Sequence, residues 1–386
     1  MDLDWLISQY ASWRSFLMRT PWIRHFSPAW FAAVMGTGGV AVVLNAWGQS
    51  IPWISKLAVA FAALTAVLFV VLLVPWLWRW IGHFDAARSD LNHPLLGNFY
   101  VTMPVAAMIV ALDADVTAGS WLGPSALYVI TLVGWLVGVV GVAVLSVYVG
   151  FTLMRQDGPS PALINFSWLL TPVAAIVIPL LGDPLTLMLL GRHSAWAGTV
   201  HLVNLAFYGM GLLLFVLMAS FVIGRLLQHS LPGAEAAPTF WISLGPIGVG
   251  TLGLMGLADV SRSMHLIAAT GTLDLLALAL WGFGIWAIGI AIAVMLHHLW
   301  RGGIPFSLSF WAFTFPLAAY ALSTMHIAAY LRSPGIVWYA ALLSILLLAF
   351  WLWAAAGTLA GLFNGKLFAA PFRQNTARVR EAAKNG

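Results

Sequence analysis

Five short stretches at a long, nearly constant spacing constrain this chain more than any other feature. Phe31 leads to Gly36 in FAAVMGTGG, Phe99 to Pro104 in FYVTMPVAAM, and Ser167 to Pro172 in SWLLTPVAAI. Trp241 leads to Pro246 in WISLGPIGVG, and Trp311 to Pro316 in WAFTFPLAAY. Each time a helix breaker follows its anchor by five residues, and four of the five anchors are aromatic. The breakers at 36, 104, 172, 246 and 316 are separated by 68, 68, 74 and 70 residues. A period of that length is the mark of a repeated supersecondary unit. A unit this long, this apolar and broken once is read as a pair of helices.

Of the 386 residues, 62% are hydrophobic and 8% are charged, with a mean hydropathy of +0.95. A water-soluble fold of this size needs a more polar exterior, so lipid is the solvent these helices face. The absence of cysteine excludes disulfides and thiolate chemistry. The net charge of +5 resides in short connections and a tail, where membrane topology accounts for it, and no nucleic-acid partner is implied.

Runs long enough to cross a ~30 Å hydrocarbon layer number ten: 28–46, 57–80, 94–112, 122–152, 163–182, 196–225, 239–258, 273–297, 307–331 and 336–363. The expected organisation is an interfacial segment over 1–27, a transport domain over 28–364 and a basic tail over 365–386. The first segment reads as a surface helix, not a cleavable leader, because Asp2 and Asp4 replace the basic start such a leader needs. With ten spans, thirteen Lys and Arg fall on one side of the membrane and four (Lys56, Arg192, Arg262 and Arg332) on the other. The positive-inside rule then places both termini in the cytoplasm of a multi-pass plasma-membrane protein, the bacterial inner membrane.

The two members of each pair differ. Even spans are long and rich in Leu, Val and Trp, which suits a lipid-facing layer. Odd spans carry the breakers and most of the small and polar residues. Irregular backbone at membrane depth is stable only against protein or a watery cavity, and interrupted helices at matching repeat positions point to a transport path. The expected fold is therefore all-α: five helical hairpins in a pseudo-fivefold arrangement, with the odd helices lining a central pore. Its lining would draw on Gly36, Thr37 and Gly38, on Thr102, Met103 and Pro104, and on Thr171 and Pro172. From the last two repeats it would draw on Ser243, Gly245, Pro246, Thr314 and Pro316. The Met35-Gly36-Thr37-Gly38-Gly39 run interrupts a span, so close helix packing or pore width explains it better than a nucleotide loop.

Phe315 directly precedes the fifth breaker, where the other copies carry Met35, Met103, Thr171 and Gly245. There a ring either closes the lumen or packs between helices. The odd spans as bounded above contain no Lys, Arg, Asp or Glu, and Asp113, Asp115, Asp183, Asp259 and Asp274 all fall at the external ends of spans. A path without fixed charge coordinates an anion through hydroxyls, amides and helix dipoles and holds it weakly. No histidine has a second ligand at metal spacing, and no cofactor is implied.

These stretches resemble the tellurite-resistance/dicarboxylate transporter family, which includes the slow anion channels of plant guard cells and fungal malate and sulfite carriers. The resemblance rests on FSPAWFAAVMGTGG at 26–39, His93-Pro94 with Asn98-Phe99, PTFWISLGPIGVG at 238–250 and WAFTFPLAAYALST at 311–324. It implies a pore through each subunit, a homotrimer, small anionic solutes such as malate, sulfite or monovalent inorganic anions, and Phe315 as the gating phenylalanine. Three functions remain to be weighed: an anion channel, a proton-coupled secondary carrier for C4-dicarboxylates or sulfite, and an intramembrane enzyme. The odd spans offer no nucleophile with a base and an orienting group, which sets the enzyme last.

Overall fold

The structure, a computed structural model, describes residues 21–119, 121–155 and 159–364. The described residues contain helices and no strand. Ten helices are long and apolar enough to span a membrane: α1 (Phe31–Gly48), α2 (Pro52–Gly82), α3 (Thr102–Thr117), α4 (Pro124–Arg155), α5 (Leu170–Gly191), α6 (Trp196–Gln228), α7 (Leu244–Ser263), α8 (Gly271–Trp300), α9 (Thr314–Leu331) and α10 (Pro334–Phe363). The surface helix expected within 1–27 lies outside the described residues apart from a short turn, Pro21–Arg24. The basic tail lies outside them as well.

Every odd helix opens with a 3-10 segment: Pro28–Trp30, Leu96–Val101, Phe166–Leu169, Ala234–Ser243 and Leu308–Phe313. Polar caps start two of them, with Ser27 Oγ accepting the Ala29 N–H and Asn165 Oδ1 that of Ser167. The four prolines of the repeat then occupy the third position of their α-helices, just past the 3-10 to α junction. This corrects the expectation of odd helices interrupted at these prolines. In the first turn a backbone N–H has no i−4 carbonyl within the helix, so proline there forfeits little. The prolines mark where the tighter helix relaxes.

The odd helices pack in closed succession, α1 on α3, α3 on α5, α5 on α7, α7 on α9 and α9 back on α1. Each even helix packs on the odd helix of its own pair and on the odd helix of the next pair, with α10 reaching α1. Burial follows this order. In the most apolar window of each span, 56–83% of residues are buried in the odd helices and 11–33% in the even ones.

Small residues permit the closest approaches. A Cβ at Gly248 of α7 would lie 2.5 Å from the Tyr320 nitrogen and 2.6 Å from the Ala319 carbonyl carbon of α9, so two backbones meet there. Indole N–H groups tie the layers together: Trp351 to Thr37, Trp47 to Ser344, Trp281 to Thr324 and Trp311 to Thr358, each at 2.9–3.0 Å. Each accepting hydroxyl donates its own hydrogen one turn back on its helix, to Ala33, Ala340, Tyr320 and Ala354 respectively. In lipid, where no water can complete a polar group, such two-way satisfaction is required.

Candidate functional site

One small cavity of about 30 Å³, room for roughly one water, collects residues from all five repeats at the openings of the odd helices. Ala32 and Met35 come from the first, Phe99 and Thr102 from the second, and Leu170 and Val173 from the third. The fourth gives Thr239, Ile242 and Gly245. The fifth gives Leu308, Ser309, Trp311, Ala312, Phe315 and Pro316. Phe99 and Trp311 are two of the aromatic anchors of the repeat, placed here by the 3-10 turns that carry them.

The cavity wall bears no charge and three hydroxyls, and those hydroxyls are already committed. Thr102 is directed at the carbonyls of Phe99 (2.6 Å) and Pro28 (2.9 Å), Thr239 at that of Ala236 (2.6 Å), and Ser309 at that of Glu235 (3.0 Å). An anion in this space meets apolar surface and hydroxyl oxygens whose hydrogens point elsewhere. Such a wall replaces little of a hydration shell, so it suits passage better than retention.

Of the residues expected along the path, Thr102, Gly245, Phe315 and Pro316 border this cavity. Met103 and Pro104 border a separate apolar groove with Trp76 and Trp80. Thr37 is engaged by α10 through Trp351, as above. A Cβ at Gly36 would meet Thr314 Oγ1 at 1.9 Å, which sets these two residues in the α1–α9 seam. Gly38 faces Ile109 and Asp113 of α3. The Thr171 hydroxyl donates to Asn98 Oδ1 at 3.2 Å, linking the second and third repeats. Ser243 donates to the Phe240 carbonyl, and Pro172 and Pro246 are buried in α5 and α7. Phe315 is 7% exposed, and its ring lies 4.0 Å from where a Gly39 side chain would start.

The expectation of charge-free odd helices is corrected. α3 continues through Asp113 and Asp115, α5 through Asp183, and α7 through Asp259 and Arg262. A hydropathy reading ends a span at its first charge, whereas the backbone continues as helix to keep its hydrogen bonds. Asp113 (1% exposed) and Asp183 (7%) are buried. Asp183 Oδ1 accepts from Asn204 at 3.5 Å, and Asn204 Oδ1 accepts the Trp135 indole at 2.9 Å. His201 pairs through Nε2 with Ser261 at 2.9 Å, while its Nδ1 has no hydrogen-bond partner. Among the described residues no three His, Asp or Glu gather in a metal-binding group.

Where the inner helices begin, Arg79 is buried and donates to Asp90, to the Arg24 carbonyl (3.1 Å) and towards the Tyr100 hydroxyl. Tyr100 in turn donates to the Ala87 carbonyl at 2.7 Å. A short helix, Phe84–Leu91, is thereby fixed to the 3-10 turn that presents Phe99 and Thr102 to the cavity. His93 Nδ1 accepts from the Leu95 and Leu96 N–H groups at the start of that turn, at 3.2 and 3.3 Å. Burial holds its ring below the ordinary value of 6.5, against an opposing pull from Asp90.

Comparison with known proteins agrees with this architecture. An uncharacterized transporter of Methanocaldococcus jannaschii is 33% identical over 351 residues, 90% of this chain and 96% of that protein. A protein named sulfite efflux pump in Trichophyton rubrum is 27% identical over 82% of this chain and 86% of its own length. The malic acid transport protein of Schizosaccharomyces pombe is 20% identical over 86% and 77%. Residues 25–359 match the family described as SLAC1, voltage-dependent anion channel, and with that match over most of its length this chain is a multi-pass membrane protein of the SLAC1 family.

Proposed function

We propose that the chain conducts small anions through the axis of its inner helices, with the ring of Phe315 as the obstruction that must move. The observation that carries this reading is the convergence of all five repeats on one uncharged cavity that Phe315 borders. The cyclic packing of the odd helices supports a pseudo-fivefold pore. Relatives named for sulfite efflux and malic acid transport support sulfite, C4-dicarboxylates or monovalent inorganic anions as the substrate class. A homotrimer with one pore per subunit is the proposed assembly, with both termini cytoplasmic.

A second reading, a proton-coupled carrier for the same solutes, draws on the buried carboxyls of Asp113 and Asp183, because ionisable groups inside spans commonly serve proton movement. One experiment separates the readings. Purified protein in liposomes is assayed for anion flux with internal pH recorded. Phe315→Ala should raise flux severalfold with no stoichiometric proton movement, since Pro316 and the helix junction remain. If Phe315 only packs the core, the same change leaves a cavity costing about 3–5 kcal/mol. Melting temperature would then fall with no gain in flux, and the gate would be lost. Proton movement in fixed ratio to anion would favour the carrier.

A further inference from the structure

Asp113 stands apart from the cavity and from every ion pair of the described residues. It is 1% exposed, and neither carboxyl oxygen has a hydrogen-bond partner. The one hydroxyl beside it, that of Thr65 on α2, gives its hydrogen to the Phe61 carbonyl at 2.8 Å. On α1 the carboxyl fills the notch left by Gly38, where a Cβ would lie 2.8 Å from Asp113 Oδ2 and 3.2 Å from Thr65 Cγ2.

The helices packed against α3 are α1, α2, α4 and α5. Their titratable groups are Lys56 and Arg79 on α2, Tyr128, Tyr148 and Arg155 on α4, and Asp183 on α5, with none on α1. Arg79 is bound to Asp90, Tyr148 to Asn92 and Asp183 to Asn204. Tyr128 lies under Arg192, and Arg155 lies over Phe151. None of the six, nor Asp115 on α3 itself, is paired with Asp113. A carboxylate so buried has no ion-pair partner among the described residues, and its neighbouring Thr65 hydroxyl is committed to Phe61, so the group is neutral or the site rearranges.

The consequence reaches the obstruction through two adjacent glycines. Gly38 holds Asp113 on one side of α1, while Gly39 packs on the other against Ala318, 2.7 Å from a Cβ built there, and against the Phe315 ring. We propose that Asp113 is a proton-binding site in the α1–α3 seam, and that release of its proton displaces α1 from the wall that holds Phe315, so that anion flux rises with pH. The second half rests on the gate reading. The first does not.

The test has two arms. In reconstituted protein, the infrared carbonyl stretch of protonated carboxylic acids is followed across pH. A component present at neutral pH should vanish in Asp113→Asn and survive in Asp183→Asn. A band untouched by Asp113→Asn overturns the proton site whatever the flux does. In the second arm, wild-type flux should rise severalfold with pH, and Asp113→Asn, which mimics the neutral acid, should stay low and flat. A wild-type pH profile retained in Asp113→Asn overturns the coupling. Phe315→Ala run alongside shows whether the gate itself has failed, because its flux then matches wild type at every pH. Should Asp113→Asn not fold, Thr65→Val keeps the carboxyl and removes its one hydroxyl neighbour. Both the infrared midpoint and the flux midpoint should move to higher pH, and an unmoved infrared midpoint counts against the site.

Discussion

At the scale of single residues, the lipid setting explains why so few polar side chains are idle. Thr37, Thr324, Ser344 and Thr358 each accept an indole hydrogen and donate to a carbonyl on their own helix, and the cavity hydroxyls of Thr102, Thr239 and Ser309 are likewise committed to carbonyls. His93 follows the same economy with a titratable group, since only its neutral ring can accept the two N–H bonds that open the second inner segment. Its ring is held below the ordinary 6.5 by burial, so in acid the unfolded chain takes up the proton more readily than the folded one. Stability is then full above the unfolded value and is lost as pH falls from there toward the lower folded one. Thermal melting of the detergent-solubilised protein should be flat above about pH 7 and decline below about pH 6.5. His93→Asn, which keeps an acceptor without the titration, should remove part of that decline. An identical pH profile in the variant would assign the acid sensitivity elsewhere.

Among the elements, the inner helices are shaped by where each changes from 3-10 to α geometry. The repeat of aromatic anchor and breaker was legible because five breakers share one spacing, which prolines such as Pro75, Pro179 and Pro184 inside the spans do not. Their effect was less legible. Spacing shows that a proline is present, but whether it kinks a helix or sits in its first turn depends on where the preceding hydrogen bonds close, and the long 3-10 run over Ala234–Ser243 has no plain sequence signature. The ends of the odd helices were misjudged for a related reason, since the helices continue past Asp113 and Asp183 into places set by residues distant in sequence, Gly38 beside the first and Asn204 beside the second. Gly38 in the glycine run is the one local hint of such a neighbour. Glycine contacts also yield a sharp expectation. At Gly248 the obstacle to a Cβ is the backbone of Tyr320 and not a side chain that could turn away. Gly248→Ala should therefore destabilise by at least the 1–3 kcal/mol typical of overpacking, while Gly250→Ala, which meets only side chains, Leu280 and more distantly Ile176, should cost less. Equal melting temperatures for the two variants would contradict the α7–α9 backbone contact.

For the molecule as a whole, the decisive property is that a chain of hairpins closes on itself. Trp47 and Trp351 clasp α1 to α10 across 297 and 314 residues of sequence, so the first and last hairpins complete the ring. Short connections between successive spans make all odd helices run one way and all even helices the other, and this fixes the sides of the charges. Arg79, Arg155, Arg225 and Arg301 lie at the finishing ends of even helices, on the face where odd helices begin. Lys56, Arg192, Arg262 and Arg332 lie at the opposite face. With Arg24 and Arg88 on the first face, the described residues divide six to four, and the basic residues of 1–20 and 365–386 would add to the six if both termini are on that side. In the proposed orientation, with both termini cytoplasmic, the cavity of Phe315 lies nearer the cytoplasm. The chain has no cysteine, so single reporters are clean. Ser230→Cys, in the exposed connection between α6 and α7, should react with an impermeant maleimide only after the membrane is opened. Ser263→Cys, exposed at the end of α7, should react in intact cells. Labelling of both from one side would break the alternation on which the ring depends, and exchange of the two patterns would turn the molecule over in the membrane while leaving the ring intact.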